Sequence, residues 1–291
     1  MKTHPKITIV TPSFNQAEYL STTIESVLDQ NYPNLEYIVI DGGSTDDSVK
    51  ILKKFDRHIT YWESESDRGQ SHALNKGFAR STGEIMGWIN SDDALEPGAC
   101  SNISERIDDV TKPTWLIGAT RIINKRGSTI DVRSPRIVTQ RTFYSWPSDW
   151  FPQQSTYWSR PMWNLVGQVR EDLHYIMDCD LWVRMFDIAE PLLTEKVLAA
   201  YRMHEVAKCV EQKDKAAYEY EKYVRASIEE SYRAEDPDIL KEKMKVLIHE
   251  FMFAKQELWI AESKLDRIRR HSVIGRLIRI WRFLINSKFD I

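Results

Sequence analysis

A chain of 291 residues is long enough for one large domain, or for one domain with an appendage, and 42% hydrophobic residues argue against global disorder. The formal net charge of -3 gives no reason to expect nucleic-acid binding. Three cysteines without CxxC spacing (Cys100, Cys179 and Cys209) predict neither a disulfide framework nor a zinc site. No signal-peptide core follows Met1 and no uncharged apolar run approaches the ~18 residues of a membrane span, which predicts a cytoplasmic protein.

The first half of the chain alternates short apolar strands with amphipathic helices. The predicted elements are, in order, a strand at 6–10, a helix at 16–30, a strand at 35–40, a helix around 49–55, a strand at 59–62, a helix at 70–79 and a strand at 84–90. Strands that alternate with helices of this length predict an α/β fold, with a mostly parallel sheet covered by helices on both faces.

Polar turns follow the predicted strands. Thr11 and Ser13 offer hydroxyl and backbone N–H groups suited to a nucleotide, and the Asp41 carboxylate can accept a hydrogen bond from a base imide or a ribose. In an open α/β sheet, ligands bind in the crevice beyond the carboxyl ends of the strands. Each turn alone is explained equally well as a tight turn or a helix N-cap, so the repetition of polar strand ends carries the prediction of a site.

The strand at 84–90 ends in Asn90-Ser91-Asp92-Asp93. Two adjacent carboxylates at the end of a buried strand are oxygen ligands of the kind that Mg²⁺ or Mn²⁺ shares with substrate phosphates. The alternative interpretation is that Asp92 and Asp93 only begin a helix as N-caps. No G-x-G-x-x-G follows the first strand and no P-loop sequence occurs, which argues against both common nucleotide-binding arrangements.

Four polar motifs occur in order along this half, at 11–15 (TPSFN), 41–46 (DGGSTD), 67–77 and 90–93 (NSDD). Together they resemble the family 2 glycosyltransferases, which are inverting enzymes with the GT-A fold. The resemblance extends over about residues 6 to 205. It implies a GT-A catalytic domain at 1–205, followed by an extension at 206–291.

The resemblance also implies roles for individual positions. The residues expected to bind the nucleotide-sugar donor are Thr11, Ser13, Asp41, Arg68, Gln70, Asn90 and Arg202. Asp92 is expected to bind the divalent metal, Mn²⁺ or Mg²⁺. Asn90 stands where the family often has an Asp that contacts ribose, so it can hydrogen-bond the donor without adding charge. Asp93 is expected to be a support residue.

The second half begins with a predicted strand at 115–119 and a hairpin at 121–132. An aromatic-rich segment follows at 143–163, for which core packing is preferred to stacking on sugar rings. Within it, 152–156 resembles a family segment that borders the acceptor site, and no single residue there is given a role.

Met177-Asp178-Cys179-Asp180 precedes a predicted amphipathic helix and forms a second acidic cluster. One interpretation is N-capping of that helix, which the helix dipole favours. The other is general-base catalysis, because inversion requires a base on the face opposite to the departing nucleoside diphosphate, and a positioned base contributes ~10²–10⁴-fold. The family pattern maps the base onto Asp178 rather than Asp180. Met177 replaces a Glu that the family often has before the base.

A strand that ends in Arg202-Met203-His204 closes the region that resembles the family. A cation there suits contact with a pyrophosphate, which predicts a donor-binding role for Arg202. A lone histidine is more often an ordinary surface or core residue than a ligand. For His204 the resemblance makes the metal-ligand interpretation equally favoured. Lys208 is a weaker candidate for the same site.

Residues 206–291 form a predicted helical extension. Apolar residues at alternating spacings of four and three give a heptad stripe over 240–268, which predicts either a homodimer seam or a long helix packed on its own catalytic domain. The basic amphipathic end at 267–288 fits binding to an anionic membrane surface. The alternative for that end is an ordinary docked helix with a solvated basic face.

The resemblance therefore implies a metal-dependent, inverting glycosyltransferase of the hexosyltransferase type. It would move a sugar from a nucleotide-sugar donor, preferably a UDP-sugar, to a hydroxyl of a glycan or lipid-linked acceptor in surface polysaccharide or glycolipid synthesis. The expected location is the cytoplasm, peripherally on the inner face of the cell membrane. A non-catalytic nucleotide-sugar or glycan-binding module of the same fold is the alternative, and a nucleotidyltransferase is disfavoured because 11–15 lacks a Gly-rich phosphate loop.

Overall fold

The computed structural model describes residues 4–135 and 152–204, together with five helical positions further along, Lys215, Tyr218, Glu219, Lys222 and Tyr223. The chain divides into two units after Glu230, and every described residue belongs to the first unit. Four predictions fall wholly or partly outside the described residues: the aromatic-rich segment at 143–163 in its first part (143–151), the heptad stripe at 240–268, the basic amphipathic end at 267–288 and the role of Lys208. The predicted domain boundary after residue 205 stays a prediction.

Strands and helices alternate through the first hundred described residues. In chain order the elements are β1 (Ile7–Ser13), α1 (Ala17–Leu28), β2 (Leu35–Asp41), α2 (Ser48–Phe55), β3 (Tyr61–Ser64), α3 (Gln70–Arg80), β4 (Ile85–Trp88), β5 (Ala94–Leu95), α4 (Ala99–Arg106), β6 (Trp115–Asn124), β7 (Thr129–Arg133), a 3-10 helix (Gln153–Ser155), β8 (Thr156–Ser159), α5 (Arg160–Val166), α6 (Met177–Phe186) and β9 (Leu192–Met203). Among the described residues, no helix combines the length and the apolar character that crossing a membrane requires.

The nine strands of the described residues belong to one sheet with the order β3-β2-β1-β4-β8-β6-β9-β5, in which β7 also pairs with β6. Strands β1, β2, β3, β4, β6 and β9 share one direction, and β5, β7 and β8 run against it. The predicted α/β fold with a mostly parallel sheet is confirmed. The predicted hairpin is also confirmed, since β6 and β7 pair in antiparallel.

The register of the parallel strands brings polar strand ends side by side. Ser13 at the end of β1 pairs with Asp41 at the end of β2, and Asp41 pairs with Ser64 at the end of β3. On the other side of β1, Val10 pairs with Trp88, the last residue of β4. The Asn90–Asp93 turn therefore follows β4 at the same edge of the sheet as Ser13.

Each face of the sheet buries its own apolar cluster. Along β2, Ile38 and Ile40 belong to the cluster beneath α3, α5 and α6, whereas Tyr37 and Val39 belong to the cluster beneath α1, α2 and α4. This alternation is the period-2 pattern of a strand covered on both sides. Burying one large aliphatic side chain contributes about 1.5–3 kcal/mol, so the two clusters hold the strand ends in place.

Aromatic residues that the sequence placed in the core are buried there. Tyr157 and Trp158 on β8 are fully buried, and Trp158 packs edge-on against Trp88 with 5.6 Å between ring centroids. The packing interpretation is confirmed for these residues. Asp178 and Asp180, expected just before a helix, lie within the first turn of α6, where the helix dipole favours carboxylates.

Candidate active site

The polar turn after β1 is tied to the turn after β2. Asn15 Oδ1 accepts a hydrogen bond from the Thr45 N–H (2.9 Å), and the Asn15 N–H donates to Ser44 Oγ (2.7 Å). Gly43 has a φ of 83°, a left-handed conformation that glycine adopts without steric cost, and a Cβ there would lie 3.0 Å from the Ser66 nitrogen. The two turns thus form one connected rim at the carboxyl ends of β1 and β2.

Ser13 and Phe14 lie on this rim and have groups available to a ligand. The Ser13 hydroxyl is buried and has no hydrogen-bond partner among the described residues. An unpaired buried hydroxyl is unfavourable, so a ligand that hydrogen-bonds it is favoured. The neighbouring Phe14 is 60% exposed, and an exposed aromatic ring is a stacking surface for a base. Phe14 was not singled out from the sequence, although it lies in the TPSFN motif.

Thr11 and Asp41 are both fully buried beneath the same rim. Thr11 Oγ1 lies 3.1 Å from the Tyr37 hydroxyl oxygen. The Asp41 carboxylate accepts hydrogen bonds from the Ser44 N–H (2.9 Å), from Ser44 Oγ (2.5 Å) and from Ser64 Oγ (2.6 Å). Contact between either residue and a nucleoside requires the surrounding turns to move, and the donor-binding roles of Thr11 and Asp41 stay predictions.

Asn90 lies at the centre of an amide network. Its Oδ1 accepts from Gln70 Nε2 (2.9 Å), and its Nδ2 donates to Gln153 Oε1 (3.0 Å) and to Asp93 Oδ2 (3.3 Å). Gln153 Nε2 donates in turn to the Trp88 carbonyl (3.0 Å). The network joins the start of α3, the end of β4 and the 3-10 helix, and it brings the predicted donor-binding residues Gln70 and Asn90 together.

Asp93 is a buried centre of this network. Its Oδ1 accepts from the Arg202 N–H (2.8 Å), and its Oδ2 accepts from Gln154 Nε2 (3.0 Å). Burial, and then the neighbouring charge of Asp92, raise the pKa of Asp93 well above the usual range of a carboxyl. The sequence pointed to the segment 152–156 but gave no role to Gln153 or Gln154. The signal was present, because two adjacent polar amides inside an aromatic segment call for buried hydrogen-bond partners.

The two predicted metal ligands lie side by side. His204 Nε2 is 3.0 Å from Asp92 Oδ2. His204 is buried, and its Nδ1 has no hydrogen-bond partner in the part of the chain that the structure describes. Two adjacent ligands of an octahedral ion with bonds of about 2.1 Å lie about 3 Å apart. The spacing of the two atoms therefore fits a shared cation as well as a direct hydrogen bond.

The chemistry of the pair fits Mn²⁺ or Mg²⁺. Carboxylate oxygen suits both ions, and an imidazole nitrogen is accepted by transition metals such as Mn²⁺. Across residues 4–135 and 152–204, no group of three or more His, Cys, Asp or Glu side chains surrounds a common metal position. Such ions commonly complete their shell with water and substrate phosphates, so two protein ligands are compatible with binding.

Arg202 supports the turn that contains Asp92. Its Nε donates to the Asp92 carbonyl (2.8 Å), and its Nη1 donates to the carbonyls of Asn124 (3.4 Å) and Lys125 (3.3 Å). Its guanidinium carbon lies 4.9 Å from the centroid of the Tyr19 ring, a cation–π contact. The buried guanidinium thus ties the Asp92 turn to the β6–β7 hairpin, and direct contact of Arg202 with a pyrophosphate stays a prediction.

Arg68, the remaining predicted donor-binding residue, is engaged by an acidic partner. Its Nε (2.9 Å) and Nη2 (2.7 Å) both donate to Glu171 Oε2. Glu171 Oε1 accepts from Asn75 Nδ2 (3.3 Å), and Asn75 also exchanges two hydrogen bonds with the backbone of Val169. The loop before α3 and the loop that leads into α6 are therefore fastened together.

The two carboxylates of α6 have different surroundings. Asp180 is buried, and its Oδ2 accepts from Arg184 Nε (2.9 Å) and Nη2 (2.7 Å). Asp178 is half-buried, and its Oδ1 accepts from the Cys179 N–H (2.8 Å). The ion pair gives Asp180 a structural role, which agrees with the preference for Asp178 as the base. The base role itself stays a prediction.

Known proteins resemble the chain in fold and in sequence. TuaG of Bacillus subtilis, a glycosyltransferase assigned to teichuronic acid biosynthesis, is 36% identical over 94 residues, which are 31% of this chain and 36% of TuaG. The mannosyltransferase PcManGT of Pyrobaculum calidifontis was solved with GDP-Man and Mn²⁺ and has a TM-score of 0.62 at 16% identity. The aligned region is 99% of this chain and 82% of the PcManGT chain. S. aureus TarS 1–349, solved with UDP-GlcNAc, has a TM-score of 0.56 at 17% identity. The aligned region is 69% of this chain and 60% of the TarS chain.

The chain spans less than two thirds of TuaG and of TarS 1–349. Both structural likenesses concern the fold, which is the GT-A fold expected from the sequence. The model of the family described as Glycosyl transferase family 2 matches residues 8–190. That match covers most of the chain, including β1 to β8 and the helix with Asp178, and the chain belongs to glycosyl transferase family 2.

Proposed function

We propose that this glycosyltransferase transfers a hexose with inversion from a nucleotide sugar, preferably a UDP-sugar, to a hydroxyl acceptor of a surface polysaccharide or glycolipid. The observation that carries the proposal is the pair of Asp92 and His204, held 3.0 Å apart where β4 and β9 end. The solved neighbours with bound UDP-GlcNAc and GDP-Man support a nucleotide-sugar donor, and the likeness to TuaG supports a surface polysaccharide.

The donor would lie along the rim at the ends of β1, β2 and β4. Phe14 would stack on the base, and the unpaired Ser13 hydroxyl would hydrogen-bond the nucleoside. Asn90 and Gln70 would present amide groups to the ribose. Asp92 and His204 would hold Mn²⁺ or Mg²⁺, which supplies positive charge that stabilises the leaving diphosphate. The 3.0 Å contact between Asp92 and His204 would hold that charge at one place on the rim.

Asp178 would take the proton from the acceptor hydroxyl. It lies one helical turn before Trp182, so the two side chains lie on the same face of α6. Trp182 stacks on Trp88, with ring centroids 5.7 Å apart and planes at 16°, and Trp88 lies four residues before Asp92. The start of α3 also contacts the loop that leads into α6. These contacts support a position for Asp178 across the donor site from Asp92.

A donor screen tests the proposal. UDP-, GDP- and dTDP-sugars are incubated with the full chain and Mn²⁺, and release of nucleoside diphosphate is measured with and without candidate acceptors. We expect turnover with one donor, loss of ~10²–10⁴-fold in Asp178→Asn, and little change in the exposed control Asp47→Asn. An inverted anomeric configuration of the product, read by NMR, is expected. Tight donor binding without any turnover would instead identify a non-catalytic binding module.

The extension is proposed to place the enzyme at the inner face of the cell membrane through its basic end at 267–288, and to dimerise through 240–268. Sequence patterning alone supports both proposals. Co-sedimentation with anionic vesicles, lost in neutral vesicles or at high salt, is expected for the first. Light scattering of the purified chain at twice the monomer mass is expected for the second.

A further inference from the structure

Three consecutive backbone N–H groups just before α6 donate to one carboxylate. His174 N–H (2.9 Å) donates to Glu219 Oε1, and Tyr175 N–H (2.7 Å) and Ile176 N–H (3.1 Å) donate to Glu219 Oε2. The N–H of the N-cap residue Ile176 has no partner within α6, and the N–H groups of His174 and Tyr175 lie before the helix. Glu219 therefore supplies acceptors that the sequence of α6 does not provide.

The N-cap residue of α6 does not supply such an acceptor. The N-cap position is Ile176, which has no side-chain acceptor, and no side-chain hydrogen bond caps the helix there. In the N-capping interpretation of the sequence, Asp178 or Asp180 would cap the helix. Both lie inside the first turn, where Asp180 binds Arg184 and Asp178 Oδ1 accepts from the Cys179 N–H. A carboxylate at a helix N-terminus is favoured by the helix dipole, and hydrogen bonds to a charged acceptor are stronger than neutral ones.

The helical segment that carries Glu219 has its own contact with the core. Glu219 and Tyr223 are described helical positions four residues apart, the spacing at which helical side chains share a face. Tyr223 packs against the apolar cluster that contains Trp182 of α6. The segment is thus attached to the α6 side of the sheet at two points, by an apolar ring and by a carboxylate.

We propose that Glu219 is a positioning residue that fixes the catalytic base Asp178, an inference that rests on the proposed function. Helix α6 is held near Asp178 at two places. Trp182, one turn after Asp178, stacks on Trp88 of the sheet. The Glu219 carboxylate accepts hydrogen bonds from the N–H groups of residues 174–176, which immediately precede the first turn. Removing one anchor lets the first turn fray, and a base displaced by about 1 Å loses up to ~10²-fold in rate.

Glu219 lies outside the region that matches the family. The family match ends at residue 190, and sequence patterning placed everything after 205 in a separate extension. Glu219 would make the start of that extension a working part of the active site. A chain without this segment would keep the donor-binding rim and lose the orientation of its base.

The first experiment measures hydrogen exchange in the full chain. In Glu219→Ala, we expect the amides of residues 174–176 to exchange about tenfold faster or more than in the wild type, while the amides of β1 stay protected. Tyr218→Ala is the matched control, because Tyr218 belongs to the same helix and is 71% exposed. Equal exchange of 174–176 in the wild type and in Glu219→Ala would overturn the inference without any reference to activity.

The second experiment separates positioning from folding. In Glu219→Ala, we expect kcat to fall about ten- to hundredfold with the donor KM within about twofold, because the donor rim is untouched. Glu219→Gln keeps one acceptor oxygen and should recover an intermediate kcat, and Tyr218→Ala should match the wild type. Wild-type turnover with an equally active Glu219→Ala would refute this inference. A wild type that turns over no donor would refute the proposed function instead.

Discussion

Replacing the buried Asp93 with alanine should weaken the fold, because its carboxylate accepts several buried hydrogen bonds. The change removes the acceptor of the Arg202 N–H and of Gln154 Nε2, both of which are buried. Asn90 Nδ2 also loses Asp93 but keeps Gln153 Oε1. Two buried donors are therefore left without the acceptor that they have in the native protein.

The magnitude follows from those two donors. Each buried donor left unsatisfied costs about 1–3 kcal/mol, so their sum is about 2–6 kcal/mol. Loss of the repulsion between Asp93 and Asp92, and of the burial of a carboxylate, offsets part of this sum. We expect a net loss of about 2–4 kcal/mol in the free energy of unfolding. For a domain of 150–250 residues, this lowers Tm by roughly 4–16 °C.

Calorimetric unfolding of the wild type and Asp93→Ala checks this value. Asp47→Ala serves as the control, because Asp47 is an exposed aspartate whose substitution should stay within about 0.5 kcal/mol of the wild type. A Tm within about 2 °C of the wild type would mean that water or a neighbouring side chain replaces the carboxylate without cost. Asp93 would then not be the residue that holds the Asp92 turn in place.

Further predictions concern the same turn. In the wild type with UDP, Mn²⁺ should raise Tm by mass action, as measured by differential scanning fluorimetry. Asp92→Ala and His204→Ala should each lose that increase. If both variants respond to Mn²⁺ as the wild type does, Asp92 and His204 are not the metal ligands. The raised pKa of Asp93 means that the folded state holds this proton more tightly than the unfolded state does. The stability that this protonated carboxyl contributes is complete below a pH of about 4 and is lost as the pH rises through the raised pKa of Asp93. Tm measured against pH should show this loss in the wild type and not in Asp93→Asn. Asn90→Asp restores the residue that the family often has, yet it should lower the free energy of unfolding by about 1–3 kcal/mol because a carboxylate cannot donate to Gln153; equal or higher stability would contradict this.

The fold was largely predictable because the decisive signals are local. Buried residues of α1 such as Tyr19, Leu20 and Ile24 recur at helical spacing, and the apolar run at 35–40 marks β2 within a residue of its bounds. The polar strand ends were also visible, since the residue after an apolar run is read directly from the sequence. Parallel alignment of strands then places Ser13 beside Asp41.

The connections within the site were not predictable, because they join residues far apart along the chain. Gln154 binds Asp93 across 61 positions, and Glu219 binds His174 across 45. No periodic pattern encodes such pairs, and polar side chains on loops give no directional signal. Arg202 illustrates the limit: its charge was correctly noticed, whereas the backbone carbonyls that it binds depend on how the β6–β7 hairpin packs.

The charges of the site oppose one another in a way that links stability to metal affinity. Asp92 and Asp93 are adjacent carboxylates, and the guanidinium of Arg202 binds the Asp92 carbonyl rather than the Asp92 carboxylate. Among the described contacts of the Asp92 carboxylate, the imidazole of His204 is the only group that could be positively charged. An imidazole is neutral when it binds a metal. The turn therefore presents a carboxylate whose charge the proposed divalent cation would neutralise. Mutations that add a cation beside Asp92 would stabilise the fold and weaken metal binding, since both depend on the same uncompensated carboxylate.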